Sequence, residues 1–429
     1  MFERSGLWGH RDFRRLWSAQ AISAFGSRIT RTALPIIAVK VLGEPESIVA
    51  VLAALQLAPG VVLAPFAGGF VDRSRKRRIL VAADLFRAAV VASLTITWLF
   101  GLLAMTQVIV VGGLVGAASS LFQITDVAYL PSLIGKRHLA EGNAKLETTE
   151  AIAEITGPAS AGALIAALGA PLAVIINTAS YLWSALMLGR IRAVEPPPEP
   201  IPEAIATSGW QSRKDLRVGM RAVFGHPQVR PIVLALMVWS IAGGFFTALY
   251  ALLCLRTLGL SEATFGVIIA MGGIGSLAGA LISRPLVRAI GLGRALLVTS
   301  TISLAAGLLM PLARGSDPVV LGCLGAHQLI GDGCSVAFVI QAVTLRQTVL
   351  PRDVLGRANA AVLICTAGLV PVTALVAGAL AQATSIRTAV WIGVSIGLAA
   401  PLCLLPLRRL REMPLAPADP AELKLATGA

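Results

Sequence analysis

The chain has 429 residues, of which 56% are apolar and only 14% charged, and its formal net charge is +14. An average soluble domain has about 25% charged residues, so a chain this long with so few cannot cover its own surface in water. The same figures exclude a collagen, a disulfide scaffold and a disordered chain, and they identify an integral membrane protein.

A bilayer is crossed by about 20 apolar residues in a helix. The first segment that qualifies is 16–41, preceded by Arg4, Arg11, Arg14 and Arg15. This start imitates a signal peptide, but the apolar run continues past Val39 and contains Arg28 and Arg31, so it reads as a retained first helix. Segments 47–71, 79–101, 105–130, 143–168 and 170–190 follow. A polar stretch then runs from Ile191 to about Gln228 and includes Pro196, Pro197, Pro198, Pro200 and Pro202. Proline keeps its beginning extended, while Trp210 to Phe224 has the pattern of an amphipathic surface helix. Segments 229–255, 262–283, 293–312, 318–344, 358–383 and 386–407 complete the series.

The expected architecture is all-α, with twelve transmembrane helices in two pseudo-symmetric six-helix bundles. Its parts are a first bundle at 1–190, a linker at 191–228, a second bundle at 229–411 and a tail at 412–429. An internal repeat supports the duplication. Ala161-Gly162-Ala163-Leu164 recurs as Ala377-Gly378-Ala379-Leu380, an offset of 216 that also relates Asn143-Ala144 to Asn359-Ala360.

Of the 36 Lys and Arg, 28 fall on the side of the termini and linker. Only Lys40, Arg256, Arg314 and Arg387 fall opposite. This asymmetry predicts that both termini and the linker are cytoplasmic. The cations sit in short clusters between apolar runs and there are only three Tyr, so no nucleic-acid partner is expected. The five Cys lie within apolar stretches without a CxxC pair, and the four His are scattered, so neither a disulfide framework nor a metal site is expected. Gly273-Ile274-Gly275 lies mid-helix, without the strand a nucleotide loop needs, and there is no Walker loop. No cofactor is expected.

After the second segment comes Gly68-Gly69-Phe70-Val71-Asp72-Arg73-Ser74-Arg75-Lys76-Arg77-Arg78. A carboxylate at a helix end beside five cations can form an ionic latch at the membrane surface, and the small glycines allow helices to approach closely. This stretch resembles the loop motif of the major facilitator superfamily. Gly68, Asp72, Arg73, Lys76 and Arg77 match its positions, and Arg75 departs from the frequent second glycine. A decayed copy, Gly279 to Arg284, has Ser283 in the place of Asp72. The resemblance gives Asp126, near the cytoplasmic end of the fourth segment, the role of completing the latch. Gly157-Pro158 with Gly162 is similar to the superfamily's antiporter motif, although a proline kink for packing explains it nearly as well. Leu345 to Ala360, together with Phe13-Arg14-Arg15-Leu16-Trp17, resembles the branch that contains macrolide and siderophore exporters.

Ionisable groups within spans invite a functional reading. Arg28 and Arg31 lie about 18 and 22 Å into the first segment at 1.5 Å per residue, and their spacing puts them on one face. Glu147, Glu150 and Glu154 form a stripe on the fifth segment, with Glu154 at a depth similar to that of Arg28. A permanent Arg28–Glu154 bridge that only positions helices is one reading, and a titrating pair is the other. Glu154 is the first proton-coupling candidate, Asp332 the second and Glu150 the third. Arg28, Arg31 and His327 are candidates for the cavity. His327 and Asp332 are five residues apart, which in an α-helix puts them on different stripes. Asp84 and Arg87 share a face and can neutralise each other.

The resemblance implies alternating access and proton-driven efflux, not enzyme chemistry. The expected protein exports an amphipathic small molecule, drug-like or siderophore-like, by proton antiport across the bacterial cytoplasmic membrane. It is expected to work as a monomer, with the small molecule, protons and the lipid bilayer as partners. A facilitator or importer of a lipid or nutrient, and a non-transporting receptor, are the rival readings on the same fold.

Overall fold

In the computed structural model, residues 6–410 are described apart from 73, 136–137, 194 and 196–208. Twelve helical spans follow in order. The first, Arg11–Ile36, is extended by a π turn at Ile37–Val41. Glu46–Asp72, Lys76–Leu99, Met105–Ile134, Leu139–Leu168 and Ala170–Gly189 are the second to sixth. The seventh is Val229–Leu252 with a π turn at Leu253–Thr257, and the eighth is Glu262–Ile290. The ninth to twelfth cover Leu292–Leu312, Asp317–Val349, Arg352–Ala367 with Leu369–Ala383, and Ile386–Leu407.

Eleven of these are long and apolar enough to cross a membrane among the described residues. The exception is the first span, where Arg28 and Arg31 interrupt the apolar run. That helix begins five residues earlier than the sequence reading placed it, because the His10 side chain accepts a hydrogen bond from Phe13 N–H at 3.1 Å and caps Arg11–Ile36. The fourth, fifth and eighth spans likewise run beyond their apolar stretches to Ile134, Leu139 and Ile290. Hydropathy registers the membrane crossing, whereas the helices continue into polar ends.

The chain forms two compact units. One contains the first six spans together with Gly244–Gly273 and Val370–Val390. Close backbone contacts hold this unit together. A Cβ at Gly162 would stand 2.6 Å from Glu262 O and 3.0 Å from Gly266 Cα. A Cβ at Gly378 would stand 3.1 Å from Glu46 O and 3.2 Å from Ser47 Cα. Glu46 and Glu262, like Gly162 and Gly378, are 216 residues apart. The repeat therefore makes the same glycine-seated contact twice. The two π turns share that offset, and so do Gly43 and Gly259, which end them with φ of 69° and 66°. Arg256 ties this region to the start of the second span, with Nη1 2.9 Å from Glu46 Oε1 and Nη2 donating to Glu44 O at 2.6 Å.

The other unit contains the linker helix Gly209–Gly225 and the remaining parts of the later spans. Trp239 stacks on Phe338 with ring centroids 5.0 Å apart, over a core that includes Ile232, Leu296 and Leu345. The linker helix is more than a surface helix. Val223 is fully buried in this core, and Gly219 lies so close to Arg357 O that a side chain would not fit. Within the tenth span a π turn at His327–Asp332 replaces regular α geometry. Its i→i+5 bonding draws together residues that five positions of α-helix would separate, so the different stripes expected for His327 and Asp332 do not hold.

Candidate functional site

Arg28 is the centre of the site. Its side chain is only 7% exposed, and Nη2 lies 2.5 Å from Glu154 Oε2 while also reaching Glu150 Oε1. The carboxylates themselves are 46% and 53% exposed, so they stand over a buried guanidinium. The first span can pass this close to the fifth because of Gly157. A Cβ there would lie 2.7 Å from Arg28 Cγ and 2.8 Å from Arg28 Cβ. The antiporter-like residues thus have distinct positions. Gly157 seats Arg28, Pro158 lines the cavity and backs onto Gly266, and Gly162 packs on the eighth span.

Beside this cluster lies a cavity of about 590 Å³, lined by residues of the first unit. Its lining includes Arg28, Arg31, Glu154 and polar groups such as Gln56 and Gln123. Phe246, Tyr250 and Phe265 line it as well. Phe246 stacks on Tyr250 at 4.6 Å between centroids, and Tyr250 meets Phe265 at 6.1 Å. This volume and mixed lining suit a drug-sized amphipathic ligand.

A buried ion pair braces the wall from behind. Arg87 bonds Asp84, donates to Ser119 Oγ at 3.2 Å, and lies 4.4 Å from the ring centroids of both Phe122 and Tyr181. Tyr181 in turn places its hydroxyl 3.2 Å from Ser27 Oγ. Asp84 and Arg87 share a face as their spacing predicted, but the aromatic clamp draws on three separate spans, which no local pattern reveals.

The other sequence candidates lie apart from the cavity. Asp126 accepts a hydrogen bond from Gln20 of the first span. Lys76 and Arg77 start the third span, where Glu195 accepts from the Lys76 N–H at 2.6 Å and the Arg77 N–H at 3.4 Å. The Arg77 guanidinium also donates to Ile191 O. A linker carboxylate that caps an N-terminus is stabilised by the helix dipole, and sequence reading missed it because Glu195 is distant in the chain. Arg73, the surroundings of Gly68 and the side chain of Asp72 lie outside the described residues. His327 and Asp332 belong to the other unit, where the His327 Nδ1–H donates to Ala306 O at 3.1 Å and the Ser303 hydroxyl donates to Gly331 O at 2.7 Å. Asp332 is half-buried there. Among the described residues, no group of His, Cys, Asp and Glu could hold a metal ion.

A family model described as transmembrane secretion effector, within the major facilitator superfamily, matches residues 8–424. The chain belongs to this family. Enterobactin exporter EntS of Citrobacter koseri is 28% identical over 316 residues, 70% of each chain. The uncharacterized MFS-type transporter YvqJ of Bacillus subtilis is 24% identical over 204 residues, 47% of this chain and 48% of its own length. The latter match therefore spans about half of that relative. Among solved structures, a bacterial homologue of the iron transporter ferroportin in its inward-facing state is similar with a TM-score of 0.69 at 18% identity, covering 93% of this chain and 99% of its own. The nucleoside transporter NupG gives 0.71 at 13% identity with the same coverage. At these identities the likeness is one of fold. This secretion-effector family member is a multi-pass membrane transporter and not an enzyme.

Proposed function

We propose that this transporter exports an amphipathic small molecule, drug-like or siderophore-like, in exchange for protons across the bacterial cytoplasmic membrane. The observation that carries this reading is the ion pair of Arg28 with Glu154 on the cavity wall. A conformational change that parts Glu154 from Arg28 leaves a carboxylate without its counter-charge in a span, and uptake of a proton neutralises it. A donor group of the substrate competes with that proton for the same carboxylate. Binding of one therefore favours loss of the other, which is the requirement for exchange. The substrate biases the two access states only through its different affinity for each.

Export is favoured by the relationship to a protein named as an enterobactin exporter. The cation asymmetry supports a cytoplasmic position for both termini, and in that orientation the Asp72 region and Asp126 would latch the cytoplasmic face. Inside-out vesicles with an acidic lumen provide the test. Added enterobactin or a cationic amphiphilic dye should accumulate and raise the luminal pH. Accumulation that is indifferent to the gradient for every compound that enters would contradict antiport.

A further inference from the structure

Direct contacts among the charged groups at the cavity are not shared evenly. Glu150 and Glu154 both engage one nitrogen of one cation, Arg28. Arg31 acts electrostatically on the same two carboxylates, so two cations face two carboxylates in this cluster. Arg31, one turn further along the same face, is exposed and lines the same cavity. It has no ion-pair or hydrogen-bond partner among the described residues. Without a direct hydrogen bond or ion pair, the Arg31 guanidinium keeps its donors for a ligand anion. The lining thus presents the Glu154 carboxylate and the Arg31 guanidinium to one cavity, together with the rings of Phe246, Tyr250 and Phe265.

We infer that the substrate is an aromatic zwitterion. Its amine docks on Glu154, its anionic group on Arg31, and its ring system on the aromatic rings of the lining. This rests on the export reading for the role of the site and adds the charge of the ligand. A simple anion fits that reading poorly. Protonation of Glu154 would make the wall more positive and hold an anion harder, so proton and anion would bind together. A zwitterion keeps the competition at Glu154 while using Arg31 as a fixed anchor. A group that is planar and carries two acceptor oxygens, such as a carboxylate, matches the guanidinium fork.

The test uses three probes with one ring system: 3-(2-naphthyl)alanine as zwitterion, its carboxamide as cation and its N-acetyl derivative as anion. Binding to the purified full-length protein is measured by calorimetry at equilibrium, without a gradient. The zwitterion should bind tightest, by about tenfold or more over each single-charge relative, as one charge-assisted hydrogen bond predicts. In Arg31→Gln the gap between zwitterion and carboxamide should collapse, and Arg31→Lys should restore part of it. Circular dichroism and thermal unfolding check that each variant is folded. If Arg31→Gln does not fold, Arg31→Lys alone carries the comparison, with a narrowed gap expected. A carboxamide that binds as well as the zwitterion, a gap unchanged in the folded variants, or no binding by any probe would overturn the inference. Because no proton gradient is involved, these outcomes stand apart from success or failure of antiport.

Discussion

Arg28 and Glu154 form an ion pair of 2.5 Å across the first and fifth spans, and Glu150 grips the same guanidinium nitrogen. Sharing makes the carboxylates redundant as counter-charges for a buried cation. Loss of either leaves Arg28 neutralised, whereas loss of both strands it.

The first prediction follows from that redundancy. Glu150→Gln and Glu154→Gln should each lower thermal stability slightly, since both carboxylates are about half exposed. The double variant should lose about 3 kcal/mol or more, well beyond the sum, because a buried charge then lacks any partner. Thermal unfolding of the four proteins in detergent measures the coupling. Simple additivity would show that Arg28 does not depend on the pair.

A second prediction concerns how Arg28 is seated. Gly157→Ala places a methyl group 2.7 Å from Arg28 Cγ, near the rigid base of that side chain. The expected loss is about 1–3 kcal/mol, the usual range for overpacking. Gly356→Ala is the control, since nothing lies within 4 Å of its Cβ position. There the helix should gain up to about 1 kcal/mol. Equal effects at the two glycines would contradict the close approach.

The sequence made much of this architecture readable, for definite reasons. Helices in a bilayer must satisfy their own backbone groups, so apolar runs of the right length mark them directly. The 216-residue repeat was legible in Ala161 to Leu164 and Ala377 to Leu380, and it marks the paired contacts of Gly162 with Glu262 and of Gly378 with Glu46. The stripe of Glu150 and Glu154 at a depth matching Arg28 was legible from helical spacing alone. Sharing of one nitrogen by both carboxylates was not, because it depends on the rotamer of Arg28 over Gly157. The clamp of Phe122 and Tyr181 on Arg87, and the Glu195 cap, join residues far apart in the chain. The π turn at His327–Asp332 left no mark in composition and changed the faces that those residues present.

A third prediction tests the latch. Asp72→Asn removes the carboxylate beside the 73–78 cations that the latch needs. Equilibrium affinity for substrate should stay within about twofold of the parent, while counterflow should fall by about tenfold, a change of roughly 1.4 kcal/mol in the switching barrier. Unchanged counterflow would remove Asp72 from the switching machinery.

The linker provides a fourth, two-part prediction. Replacing residues 196–206 with a flexible segment of equal length should leave transport largely intact, because a proline-rich polar stretch buries no core. Gly219→Leu, 13 residues beyond it in the docked helix, should cost stability because the side chain meets Arg357 O. Thermal unfolding and uptake together separate the tether from the docked helix. Loss of substrate binding in a folded replacement would make the tether part of the site.

The most direct measurement of the central claim uses Glu154→Gln in inside-out vesicles with an acidic lumen. Glutamine keeps the size and hydrogen-bonding capacity of the side chain but can neither gain nor lose a proton. Arg28 retains Glu150, so the cavity wall stays in place. Exchange of labelled substrate between equilibrated compartments and gradient-driven accumulation are measured on the same preparation. The account predicts that exchange persists while accumulation falls to the level seen without a gradient. Accumulation at parental levels in this variant would place the coupling proton elsewhere, with Asp332 of the tenth span the next residue to substitute.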